Sequence, residues 1–193
     1  MASGSSSLSW SKIATRMRVP LGFAFAAAYF WFAAPTWLSI LIGAICSVIG
    51  LAVRAVASGH IRKNSALATS GPYAYTRNPL YLGSVLMALG FVIAARNWWI
   101  GLAALAMFLI IYIPVIKAEE VYLRGVFPDY AQYAANVPRL VPRLTAYRTT
   151  NDGGDSFGSF SRELYLKHRE YNAALGSGLM IGALILKMLL GAH

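Results

Sequence analysis

LYLGSVLMALGFVIAARNWWIGLAALAMFLIIYIPVI, residues 80–116, decides the fold. Two apolar runs, 80–95 and 98–116, flank the single polar step Arg96-Asn97. A helix crossing the hydrocarbon of a bilayer takes ~20 apolar residues. In lipid, each backbone amide has to be satisfied within its own helix. Two helices joined by a tight turn meet both demands, so this stretch predicts a membrane hairpin.

Working outward, the runs 19–34 and 37–57 are separated by Pro35-Thr36 and predict an earlier hairpin. The run 173–191 predicts a final span. Residues 1–10 are serine-rich and are expected to be disordered. Lys12, Arg16 and Arg18 then precede the first run, but no small-residue cleavage site follows it, which predicts a retained helix rather than a removed signal. The expected fold is an all-α, multi-pass transmembrane helical bundle of about five spans with a cytoplasmic cofactor-binding segment. Its expected parts are an N-terminal cytoplasmic segment (1–18), a membrane core with the cofactor segment (19–147), a flexible Gly/Asp/Ser linker (148–160), and an interfacial helix followed by the final span (161–193).

Composition agrees. Of 193 residues, 58% are hydrophobic and 12% charged, whereas soluble domains carry about 25% charged residues. The net charge of +10 lies beside long apolar runs, so the expected partner is an anionic membrane surface and not nucleic acid. With five spans, every Lys and Arg except Arg96 and Lys187 falls on one side. The positive-inside rule makes that side cytoplasmic and predicts a cytoplasmic N-terminus, in a membrane expected to be the bacterial inner one. Trp31, Trp37, Trp98 and Trp99 gather at the opposite hairpin tips, as interfacial rings do. Arg54 and Lys187 lie within apolar runs, near enough to the ends to snorkel; Arg54 could equally face the bundle. Cys46 is the single cysteine, and His60, His168 and His193 are far apart, so no metal site is expected.

The polar chemistry is concentrated in two segments. In GPYAYTRNPLYLG, 71–83, Asn78 suits a helix N-cap and Pro79 the first helical position. The helix start, with Arg77, would favour an anion beside Tyr73, Tyr75 and Tyr81. Read alone, the stretch is more simply a capped membrane helix with interfacial tyrosines. Further on come Lys117, Glu119 and Glu120, then Phe127, Tyr130, Tyr133 and Arg139. Adjacent glutamates on a helix point about 100° apart, so one can face the bundle while the other meets water. Alone, these too are two solvated charges at a helix end.

In this order, GPYxYxRNPxY, a hydrophobic hairpin, EExxL, FPxYxxY and VPRLVP resemble the isoprenylcysteine carboxyl methyltransferase family and its relatives. The likeness covers 51–142 and includes Arg54. It departs at Asn78, where the family usually has His, and at Pro128, where it commonly has Gly. The resemblance implies S-adenosyl-L-methionine as cofactor and a lipophilic acceptor entering sideways from the bilayer, with a carboxylate such as that of prenylcysteine as the expected methyl acceptor. It implies cofactor contacts from Tyr73, Tyr75, Arg77, Asn78, Pro79, Tyr81, Glu119, Glu120, Tyr130 and Tyr133, and catalytic roles for Arg139, Glu120 and Arg54. Asn78 can donate and accept hydrogen bonds but cannot titrate, so an imidazole base is not available there. Two other readings stay open: an NADPH-dependent membrane reductase of the steroid-reductase type, and a non-catalytic membrane scaffold or small transporter.

Overall fold

The computed structural model describes residues 4–61, 66–148 and 160–191. Among them the secondary structure is helical, with no strand. In chain order the helices are α1 (Gly4–Phe32), α2 (Trp37–Ser58), a 3-10 turn (Gly71–Ala74), α3 (Pro79–Ala95), α4 (Trp98–Met107), a π-helical turn (Phe108–Tyr112), α5 (Ile113–Val126), α6 (Tyr130–Asn136), α7 (Arg162–Lys167) and α8 (Tyr171–Leu189). Three helices are long and apolar enough to cross a membrane: Trp37–Ser58, the continuous Trp98–Val126, and Tyr171–Leu189. Pro20–Phe32 and Pro79–Ala95 are shorter apolar helices. The protein is a membrane helical bundle.

Two expectations need correction. Residues 4–10 are helical rather than disordered, because α1 begins at Gly4 and runs through Pro20 without a break. Nothing between Gly4 and Phe32 stops a helix except that proline, which removes one hydrogen bond that neighbouring helices make tolerable. Lys187 does not snorkel. It is 8% exposed, and its Nζ donates to the carbonyls of Phe30, Trp31 and Ala33 at 2.9, 3.0 and 2.7 Å. The ammonium thereby caps the C-terminal end of α1, where carbonyls lack partners of their own. Of the expected linker, 149–159 lies outside the described residues, as do Arg62 and Lys63.

The antiparallel pair α2 and α3 has the most extensive contact in the bundle. In lipid no hydrophobic effect drives helices together, so close approach through small residues has to do so. Gly43 lies against Gly90, and Gly50 against Gly83. Short polar side chains of α2 then donate to α3 carbonyls: Ser39 to Ala94 at 3.1 Å, Cys46 to Leu86 at 3.3 Å and Ser47 to Met87 at 3.4 Å. At one end, Tyr29, Ala33, Ile40, Ala94, Ala95, Ile100 and Leu184 join α1, α2, α3, α4 and α8 in one buried cluster. The remaining α2 face, including Leu38, Leu41, Ile45 and Val48, is exposed and apolar, as a lipid-facing surface is.

A Cβ at Gly90 would strike the Ser47 hydroxyl and the Gly43 carbonyl. Gly90→Ala is therefore expected to lower stability by about 1–3 kcal/mol, despite alanine's better helix propensity. Gly176→Ala, with open space around it in α8, is expected to be neutral or stabilising. Thermal denaturation of both variants in detergent checks the contrast, and equal behaviour would contradict this packing.

Candidate active site

The polar site forms where α3 begins and α5 ends. Phe127 is extended (φ −117°, ψ 112°) ahead of Pro128, so α5 stops there. The chain turns at once into α6, whose Tyr130 and Tyr133 are three residues apart and share one buried face. Their rings meet edge to face at 6.0 Å. With Val137 they form a second core, against Leu67, Leu123 and Phe127. The Tyr133 hydroxyl donates to the Tyr73 carbonyl at 2.7 Å, clamping α6 onto the 3-10 turn.

The segment after α6 is laced to the start of α3. Arg77 N–H donates to the Pro138 carbonyl at 2.9 Å, Arg143 N–H to Tyr75 at 3.0 Å and Tyr147 N–H to Ala74 at 2.9 Å. The Thr76 hydroxyl reaches the carbonyls of Arg139 and Leu140. At the centre lies Glu120, 5% exposed. Its carboxylate accepts from Arg139 Nε and Nη2 at 3.0 and 2.7 Å and pairs with Arg77 Nη1 at 3.5 Å. Asn78 Nδ2 lies 3.4 Å from the same carboxylate and donates to the Arg139 carbonyl at 3.0 Å. Asn78 thus occupies the expected N-cap position without capping the helix through its side chain. Glu120 and the Arg139 carbonyl have drawn its amide away.

A cavity of about 290 Å³ opens beside this node, at the lower end of the usual range for small-molecule sites. Tyr73, Arg77, Asn78, Pro79, Tyr81, Glu119, Tyr130 and Tyr133 all line it. Sequence reasoning did not single out other parts of the wall, including Ile61, Leu67 and Tyr122. Apolar residues near helix ends carry no signal separating cavity from core. The two glutamates divide as their spacing requires: Glu119 lines the cavity and accepts from the Tyr81 hydroxyl at 3.2 Å, while Glu120 turns toward the arginines. Tyr75 is 39% exposed and lies off the wall. Arg54 reaches the start of α3 from its other side, donating to the Leu80 carbonyl at 3.3 Å and pairing with Glu170 at 2.7 Å.

Arg77 Nε and the Tyr73 hydroxyl are buried without a hydrogen-bond partner among the described residues, and both residues line the cavity. Buried donors of this kind are costly unless a partner arrives. Next to this cavity is an apolar one of about 360 Å³, lined by Phe25, Ser84, Val85, Leu89, Leu105 and Tyr112 among others. Tyr112 ends the π-helical turn, a feature often found at functional sites. Its ring meets that of Tyr81, in the wall of the polar cavity, edge to face at 6.1 Å.

The family model for phospholipid methyltransferase matches residues 23–130. The chain belongs to that family. It is 35% identical over 103 residues to the cobalt-zinc-cadmium resistance protein CzcN of Cupriavidus metallidurans, covering 53% of this chain and 48% of that protein. The nickel-cobalt-cadmium resistance protein NccN of Alcaligenes xylosoxydans xylosoxydans is 35% identical over 105 residues, with the same coverage. A protein-S-isoprenylcysteine O-methyltransferase of Schizosaccharomyces pombe is 35% identical over 83 residues, 42% of this chain and 35% of the enzyme. The chain thus spans half or less of the length of these relatives. No solved structure matches it significantly. Among the described residues, no three His, Cys, Asp or Glu side chains come together as a metal site.

Burial raises the Tyr73 hydroxyl well above the ordinary tyrosine range, with the Glu119 charge adding to it. Burial likewise raises that of Tyr133. Arg139 is raised by its hydrogen bonds to Glu120. As pH climbs through the ordinary tyrosine value of ~10, tyrosines in the unfolded chain lose protons while these two keep theirs. Native protein then binds more protons than unfolded protein, so stability falls as pH rises. A thermal midpoint that declines from about pH 9 to 11 is expected. The decline should be shallower in Tyr133→Phe than in wild type, and identical slopes would contradict the burial of that hydroxyl.

Proposed function

We propose that the chain is a membrane methyltransferase using S-adenosyl-L-methionine and acting on a lipophilic acceptor. The observation that carries this reading is the cavity itself, with one cation, one carboxylate and aromatic rings in its wall beside an apolar cavity. Its residues fit the cofactor's separate parts. Arg77, with its free Nε, suits the methionyl carboxylate, and Glu119 suits the amino group. Tyr130, Tyr133 and Phe127 offer faces for adenine or for the sulfonium charge. When bound, the cofactor supplies a methyl group already activated for displacement. The protein then has to hold the acceptor in line and exclude water, an arrangement that can contribute ~7–11 kcal/mol.

Glu120 fixes Arg77 and Arg139 from behind the wall. Arg139 keeps a partly exposed guanidinium that an acceptor carboxylate could approach. Tyr81 and Tyr112 mark the boundary an acceptor would cross from the apolar side, entering from the bilayer. In this reading the site lies on the cytoplasmic side of a bacterial inner membrane, with the N-terminus on that side too. The acceptor is proposed to be a carboxylate of prenylcysteine type.

Calorimetric titration of the detergent-purified protein with S-adenosylhomocysteine, with NADPH as comparison, tests the reading. Saturable binding of the former is expected. Glu120→Ala should weaken it at least tenfold, since it leaves two arginines without their anchor. Folded Glu120→Ala that binds as well as wild type would remove Glu120 from the site. Binding of NADPH alone would favour the reductase reading.

A further inference from the structure

Glu170 lies beyond the stretch matched by the family and takes no part in the cavity wall. Its carboxylate nevertheless has a defined and mostly buried place. Arg54 Nε and Nη2 each donate to it at 2.9 Å, fork on fork, with 22% of the arginine side chain and 12% of the glutamate side chain exposed. The other arm of Arg54 donates to the Leu80 carbonyl at 3.3 Å and to the Ser84 hydroxyl. Ser84 in turn donates to the Leu80 carbonyl at 3.0 Å. Arg54 therefore grips the opening of α3 from outside the cavity, while Asn78, Pro79 and Tyr81 of the same opening line it.

An arginine on an apolar helix, free of a counter-charge, would turn toward water. Glu170 gives it a reason to stay. The carboxylate is delivered by the backbone: Arg169 adopts a left-handed conformation (φ 53°), and the turn between α7 and α8 closes through Asn172 N–H to the Arg169 carbonyl at 3.0 Å. A bidentate pair of this kind fixes direction as well as distance.

We propose that Glu170 is a positioning residue for the cofactor cavity: acting through Arg54, it holds the first turn of α3 where the wall requires it. This rests on the reading of that cavity as the methyl-donor site. The final helix, which the family match does not include, thereby contributes to the site without touching it.

The test uses the full chain in detergent, with two readouts. One is the affinity for S-adenosylhomocysteine; the other is amide hydrogen exchange over 79–84. Glu170→Ala is expected to weaken affinity roughly tenfold and to speed exchange over 79–84. Glu170→Asp should restore most of both. Leu184→Ala, which removes a buried side chain of α8 from the cluster around Tyr29 and Ala33, should lower thermal stability and leave affinity unchanged. Should Glu170→Ala not fold, Glu170→Gln takes its place with the same expected order. Wild-type affinity and exchange in the Glu170 variant would overturn the proposal. So would an equal loss in Leu184→Ala, which would make α8 a general anchor. If wild type binds no S-adenosylhomocysteine, the methyl-donor reading fails, and the exchange readout alone decides whether Glu170 holds α3.

Discussion

A carboxylate held away from water is expensive, by several kcal/mol, unless cations and hydrogen-bond donors surround it. Glu120 meets that condition with Arg139, Arg77 and Asn78. Those partners come from the segment after α6 and from the residues before α3, while Glu120 itself belongs to α5. The demand of one charge thus draws three distant parts of the chain together. The backbone ties of 138–147 to 74–77 follow, and so does the wall of the cavity. Two guanidinium groups on a single carboxylate leave the node with a surplus positive charge. The Glu119 carboxylate in the adjoining cavity wall offsets that surplus.

The rest of the bundle obeys the opposite economy. Between α2 and α3 charge is scarce, and cohesion comes from glycines that let backbones approach and from short side chains donating to carbonyls. Such bonds are worth about 0.6 kcal/mol each on average within membranes, so it is their repetition that tells. Arg54 is where the two regimes meet, since it continues the row of α2 donors to α3 carbonyls while carrying a full charge.

Hydropathy alone located the apolar helices and the hairpin turns, because length and the absence of charge leave few alternatives. It also marked the two polar segments that meet at the cavity, since most of the charged side chains fall at that end of the bundle. What it missed was set by partners far away in sequence. Whether Lys187 reaches out or in depends on carbonyls more than 150 residues earlier, and Arg54's counter-charge sits 116 residues downstream. Asn78 carries a capping residue's local signature, but its carboxamide is oriented instead by Nδ2 donating to Glu120 and to the Arg139 carbonyl. The early start of α1 was hidden by serines, whose weak helix preference is easily overridden by tertiary context.

Lys187 also bears on how the chain is made. α1 precedes α8 in the chain, so the carbonyls of Phe30, Trp31 and Ala33 lack the Lys187 donor until α8 docks. The last helix arrives carrying an ammonium that lipid resists, and the partner that removes the penalty is already in place. Docking of α8 and completion of the C-terminal end of α1 are in that sense a single event.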